Sequence, residues 1–233
     1  MRRPIPADPI PSPNIWNWPE VYARENAAQD ADGVLWAALR AAAPFTGRDL
    51  VDVGCGDGFH LPRFATEAAS VIGVEPYEPL VRRARGLGRD VRTGSAERLP
   101  LPDASVDVLH ARTAYFFGHG CEQGLAEAER VLRPGGTIAI VDLDATVSPY
   151  GDWMRADLPG YDPVAAERFF ARQGFTMQRI RTTWRFPDRI TCEAVLRIEF
   201  SSAVADRAVA AVAGVEIPVG YRLHVRRRGL RAG

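Results

Sequence analysis

Three glycines stand at alternate positions in "DLVDVGCGDGFH": Gly54, Gly56 and Gly58, directly after a short apolar run. Glycine reaches positive φ without a Cβ penalty and lets a ligand lie against the main chain. If a helix follows, its free N–H groups and positive dipole end face the same place, so the turn suits an anion. Two anions fit. A dinucleotide pyrophosphate is read by G-x-G-x-x-G; here the spacing is G-x-G-x-G, with His60 near the sixth position. The other is the carboxylate of an amino-acid-bearing cofactor. Asp52, just before the turn, favours the second, because it repels a pyrophosphate and attracts the ammonium of a zwitterion. About twenty residues further on, Glu75 ends "VIGVEP", with Pro76 beside it. A carboxylate there accepts hydrogen bonds from both hydroxyls of a ribose. The bland alternatives are a tight strand-to-helix turn with no ligand and a solvated strand end.

These residues need a sheet to carry them. "RDLVDVG", "SVIGVEP", "DVRTGS", "SVDVLHA" and "TIAIVDLD" read as five strands, and "FHLPRFATEAA", "YEPLVRRARGLG" and "CEQGLAEAERVL" as helices between them, with "RPGG" breaking the last. Strands alternating with helices predict an α/β fold: a doubly wound, mostly parallel sheet covered on both faces. In the last third, "DPVAAERFFARQGF", "DRITCEAVLRIEF" and "SAVADRAVAAVAG" read as helices and "TMQRIRTTWRF" as a half-exposed strand. "GYRLHVRRR" reads as a last, antiparallel edge strand. Residues 1–30 form a Pro-rich, aromatic arm or lid with Trp16, Trp18 and Tyr22, and residues 31–233 a single domain.

With 233 residues, 46% of them hydrophobic, one sizeable core is within reach. The 29 basic and 29 acidic residues balance, so the chain shows no overall electrostatic footprint for nucleic acid or membrane. Every basic residue is Arg, which excludes any Lys Schiff base or Lys general base. Cys55, Cys121 and Cys192 match no disulfide framework and no zinc spacing, and a cytoplasmic setting is expected. No stretch is apolar for long enough to span a bilayer, and "MRRPIPADPIPSPN" lacks the apolar centre of a secretory signal.

The segments "LVDVGCGDG", "VIGVEP", "GSAERLPLPDASVDVLHA" and "RVLRPGGTIAIVDLD", in this order and spacing, resemble the class I S-adenosylmethionine-dependent methyltransferases of the methyltransferase domain 11 type. The resemblance runs from about Asp49 to Asp144 and implies a seven-stranded sheet whose last strand is antiparallel. It implies S-adenosyl-L-methionine as cofactor, with Asp52, Gly54, Cys55, Gly56 and Gly58 around the methionine part and Glu75 and Pro76 at the ribose. Ser95 and Ala96 then border the adenine, and the residue after the fourth strand, near Ala111, offers a carbonyl to the ammonium. One position departs from the family: "GSAE" places Ser95 where an Asp usually accepts from the adenine amino group.

The implied activity is methyl transfer to a small-molecule acceptor by in-line displacement, in which the protein aligns acceptor, methyl and sulfur. An oxygen acceptor often needs a base. His119, in "HARTAYFFGHG" after the fourth strand, is the candidate, with a plain loop histidine as the alternative. His110 reads as a packed strand histidine, His60 as a packing residue or else a lid or acceptor contact, and His224 as part of the edge strand, away from the site. Trp16, Arg112 and Tyr115 are the candidate acceptor contacts; Arg112 could grip an acidic group. No metal ligand cluster stands out. The Asn/Asp/Ser-Pro-Pro-aromatic motif of amino-methylating DNA enzymes is absent after the fourth strand, so nucleic acid is not the expected acceptor. A catalytically silent cofactor-binding protein and a nicotinamide-dependent oxidoreductase are the competing readings. Restoring the carboxylate with Ser95→Asp is expected to tighten binding of S-adenosylhomocysteine by about 1 kcal/mol, one hydrogen bond's worth. Calorimetric titration checks this, and unchanged affinity would remove Ser95 from the adenine edge.

Overall fold

The computed structural model describes residues 12–114 and 120–229. Its seven strands are β1 (Asp49–Val53), β2 (Ser70–Glu75), β3 (Val91–Thr93), β4 (Val106–Arg112), β5 (Leu132–Leu143), β6 (Thr176–Arg185) and β7 (Glu216–Arg227). They form one sheet in the order β3-β2-β1-β4-β5-β7-β6, parallel from β1 to β5, with β7 antiparallel to both neighbours. Strand order reverses between β1 and β4, so their carboxyl ends, Val53 and Arg112, flank the crevice where doubly wound sheets bind ligands.

Side-chain parity divides the core. On one face Leu50, Val108, Ala139 and Val141 pack against Leu35, Trp36 and Leu39 of α3 (Val34–Ala42) and Phe64 of α4 (Leu61–Ala65). Further along that face lie α7 (Tyr150–Asp157), α9 (Arg189–Glu199) and α10 (Ser202–Ala211), around the fully buried Trp184. On the other face Val51, Val53, Leu109, Ala111, Ile138 and Ile140 meet Leu125, Ala128 and Val131 of α6 (Glu122–Val131) and Phe169 and Phe170 of α8 (Pro163–Arg172). Val81 and Ala84 of α5 (Glu78–Gly86) cover Val91 at the β3 edge. Two helices precede this framework, α1 (Pro13–Asn17) and α2 (Pro19–Ala28). Prolines begin both, where a missing N–H costs nothing.

Three local expectations need correction. "GYRLHVRRR" is not at an edge: β7 lies between β5 and β6, and the edge belongs to β6. Arg222 and His224, whose polarity suggested an exposed face, are buried under α8, so the apparent alternation came from polar residues inside the core. "RPGG" does not separate helix from strand; it is an irregular start to β5, where the register jumps from Val106↔Leu132 to Val108↔Thr137. The helix after the glycine turn is also short, five residues from Leu61, so it lends the turn little dipole.

The buried seam between β5 and β7 has a pH signature. Asp142 lies opposite Arg222 in the register and is fully buried, with neither carboxylate oxygen hydrogen-bonded. Burial pushes its carboxyl up to about 7, against the pull of Arg222. The raised folded value means that its contribution is fully present below about pH 4 and is lost as pH rises through about 7. The variant Asp142→Asn should therefore gain on the wild type by a few kcal/mol between pH 5 and pH 8. Urea denaturation across that range measures this, and a constant difference between the two proteins would contradict it.

Candidate functional site

The glycine turn leaves β1 at Val53 and crosses the end of β2. Gly54, Gly56 and Gly58 have φ of 73°, 59° and 78°. The N–H groups of Gly54 and Cys55 donate to the carbonyl of Val74, at 2.8 and 3.2 Å. Side chains are excluded as well as strained: a Cβ at Gly54 would stand 2.9 Å from Ala114 Cβ, and one at Gly56 2.6 Å from Ile15 Cδ1. The main chain at these two glycines is thus closely approached by Ala114, just past β4, and by Ile15 of α1. Cys55 turns into the core, where its sulfur crowds Gly73, and burial pushes its thiol up.

Glu75 ties this turn to the second strand. One oxygen accepts from the Gly56 N–H at 3.1 Å and the other from the Tyr77 N–H at 3.0 Å. The carboxyl is 5% exposed; burial raises its pKa, which those two hydrogen bonds oppose. Each oxygen keeps a further lone pair, so the group is oriented and still able to accept. Pro76 follows at the strand end, and Trp16 of α1 stacks on Tyr77 with centroids 4.2 Å apart and planes 14° apart. Ser95 and Ala96 lie just past β3, where Ser95 bridges to Arg98 and Ala96 packs against the core.

Asp52 makes a different contact from the one expected. It is buried, and its Oδ1 lies 2.7 Å from Nδ1 of His110, its register partner on β4. Part of its charge is therefore committed to the imidazole. Strand β4 also runs one residue further than "SVDVLHA" suggested. Ala111 sits inside the ladder between Val53 and Ile140, and the residue past the strand is Thr113, with φ of 54°. The Thr113 N–H donates to Val141 O at 2.8 Å, and its hydroxyl donates to Arg112 O at 2.8 Å. The aromatic group of the arm is split: Trp16 covers Tyr77, Trp18 is exposed, and Tyr22 is tucked beside Thr113. Arg112 donates to Tyr221 Oη at 3.1 Å and also to Gln29 Oε1. Tyr115 and His119 lie outside the described residues.

Reading by segment passed over the Asp52–His110 pair. Neither residue points to the other in its own segment; they meet because Asp52 and His110 occupy matched positions one residue before Val53 and Ala111. The strand pairing, once drawn, was the available signal. Among the described residues no group of three His, Cys, Asp or Glu is placed to hold a metal ion.

The bare glycine backbone and the oriented, partly unsatisfied Glu75 carboxylate fit a ligand with a zwitterionic tail and a ribose. Comparison with known proteins agrees. Residues 51–140 match the methyltransferase domain family. A probable S-adenosylmethionine-dependent methyltransferase of Mycolicibacterium smegmatis is 40% identical over 103 residues, 43% of this chain and 40% of its own length. The 27-O-demethylrifamycin SV methyltransferase of Amycolatopsis mediterranei is 37% identical over 114 residues, 45% of this chain and 42% of its own. The chain thus spans about two fifths of the length of these relatives. Among solved structures, an S-adenosylmethionine-dependent methyltransferase of Thermotoga maritima, described as a possible histamine N-methyltransferase, superposes with a TM-score of 0.60. It covers 91% of this chain and 97% of its own at 20% identity, a likeness of fold.

The turn sets a sharp test. Gly56→Ala places a side chain at positive φ and against Ile15, costing about 1–2 kcal/mol in backbone strain alone. S-adenosylhomocysteine affinity is expected to fall at least tenfold by calorimetry, while circular dichroism shows the sheet retained; full affinity would mean that the ligand avoids the turn.

Proposed function

We propose that this chain, whose residues 51–140 match the methyltransferase domain family, is a class I S-adenosylmethionine-dependent methyltransferase that transfers a methyl group to a small-molecule acceptor in the cytoplasm. The observation that carries the reading is the glycine turn held by Glu75 at the switch point between β1 and β4.

Gly54, Gly56 and Gly58 receive the methionine part, and Glu75 accepts from the ribose hydroxyls. Ser95 and Ala96 border the adenine, and the carbonyls at the end of β4 meet the ammonium. When bound, S-adenosylmethionine supplies an electrophilic methyl on a positive sulfonium, the chemistry that the side chains lack. The chain contributes alignment. The turn, β4 and the overlying α1 and α2 enclose the ligand and keep water from the reacting atoms. Acceptor deprotonation has one structured candidate: His110 has Nδ1 engaged by Asp52, which fixes the ring and leaves Nε2 as the nitrogen free to take a proton. His119 stays a second candidate base, and Trp16 and Tyr115 stay candidate acceptor contacts. Small-molecule acceptors suit a chain whose 29 basic and 29 acidic residues cancel.

The test is incubation with methyl-labelled S-adenosylmethionine and a metabolite extract of the source organism, followed by mass identification of the labelled products. Label in a small molecule, abolished by Glu75→Ala, is the expected outcome. Binding of S-adenosylhomocysteine without label in any product would favour a silent binding protein, and selective binding of NAD(H) an oxidoreductase.

A further inference from the structure

Beneath α2 and α3, on the sheet face that carries Asp52 and His110, lies a cavity of about 260 Å³. Its walls include Gln29, Trp36, His60, Arg63, His110 and Arg112. That volume equals roughly eight or nine water molecules at about 30 Å³ each, so it admits a small organic acid and excludes a peptide.

The charges around it are unbalanced. Arg63 lies over the Trp36 ring at 4.1 Å, and Arg112 bonds only the neutral groups of Gln29 and Tyr221; neither guanidinium has an ion-pair partner among the described residues. The nearby carboxyls are committed. Asp30 accepts from the N–H groups of Leu35 and Trp36 and from the Thr182 hydroxyl. Asp52 is engaged by His110. Glu25, which feels the charge of Arg112, is held well above the usual carboxylate range by burial and by Glu199. His60 completes the picture: its Nε2 is buried and has no hydrogen-bond partner. Burial first, and then the positive charge of Arg112 with lesser contributions from the other groups nearby, holds its imidazole well below the ordinary value. A buried ring nitrogen without a partner, in the wall of the same chamber as two guanidinium groups without ion-pair partners, is an arrangement that an anion completes. A carboxylate supplies what each group lacks: acceptors for the forks, and a charge that lets His60 take a proton and donate.

We propose that this chamber binds the carboxylate of a small organic acid, and that this acid is the methyl acceptor. The inference rests on the methyltransferase reading, since only then does a second small-molecule site beside the glycine turn hold an acceptor.

The experiment uses the full chain, with and without saturating S-adenosylhomocysteine, titrated calorimetrically with acetate, benzoate and 3-phenylpropionate. Each acid is paired with its primary amide. At least one acid should bind about tenfold or more tightly than its amide, the scale of one charge-assisted contact. Arg112→Gln should cut that preference about tenfold and leave S-adenosylhomocysteine affinity within about twofold. Because Arg112 also holds Gln29 and Tyr221, Arg63→Gln, at an exposed position, provides a second variant that gives up no side-chain hydrogen bond among the described residues, only the stacking on Trp36, and should show the same selective loss. Acids and amides binding alike, or none binding, overturns the proposal. So does an equal loss of S-adenosylhomocysteine affinity in both variants, which would place the donor's own carboxylate in the chamber. Wild-type protein that fails to bind S-adenosylhomocysteine at all is a separate result: the methyltransferase reading then falls, and the acceptor assignment with it.

Discussion

The Glu75 carboxylate, shared between the N–H of Gly56 and the N–H of Tyr77, is the contact on which the site depends. A turn that swings three glycines through positive φ gives up its own hydrogen-bond ladder, and any N–H left buried there would cost about 1–3 kcal/mol. Glu75 removes that cost from across the sheet and at the same time becomes oriented. One carboxylate therefore shapes the loop, joins it to the end of β2 and keeps lone pairs for a ligand. Its raised pKa is the electrostatic cost of placing it so deep.

Much of this was legible in the chain, because it is local. The five parallel strands announce themselves as short apolar runs, and the turn at Gly54 to Gly58 as backbone freedom in an unusual place. Glu75 is visible because its distance from the turn is that of one helix and one strand. What was hidden depends on pairing across the sheet. Asp52 and His110 are 58 residues apart and meet only through the β1–β4 register. The interior position of β7 was hidden for a related reason: Arg222 and His224 carry polar groups into the core, and polarity is what sequence reading treats as surface. The split of Trp16, Trp18 and Tyr22 to three environments follows from the break between α1 and α2 at Trp18, which neighbouring aromatic residues do not disclose.

The absence of Lys gives the electrostatics one character. Each cation is a planar fork with fixed geometry, and many are used structurally: Arg130 binds Glu127, Asp103 and two carbonyls near the third strand's turn, and Arg133 joins Asp49 to Asp107 at the start of the sheet. Against that background, an Arg that lines a cavity without a carboxylate is informative. Guanidinium groups cannot relieve crowding by losing a proton, so Arg63 and Arg112 impose their charge on whatever shares their space, and His60 bears the effect.

Finally, α1 has five residues, too few to hold a helix in water by itself. Its order is borrowed from what it rests on: Ile15 on Gly56, Trp16 on Tyr77, and Asn14 on Glu199. Two of those three supports, Gly56 and Tyr77, are the residues whose N–H groups Glu75 holds. Folding of the amino-terminal segment is therefore coupled to any event at Gly56 or Tyr77: whatever changes the rigidity of those two residues changes the helix content of residues 13–17, and ordering of the helix acts back on them through the same coupling free energy. The segment acts as a clasp whose fastening is felt at both residues.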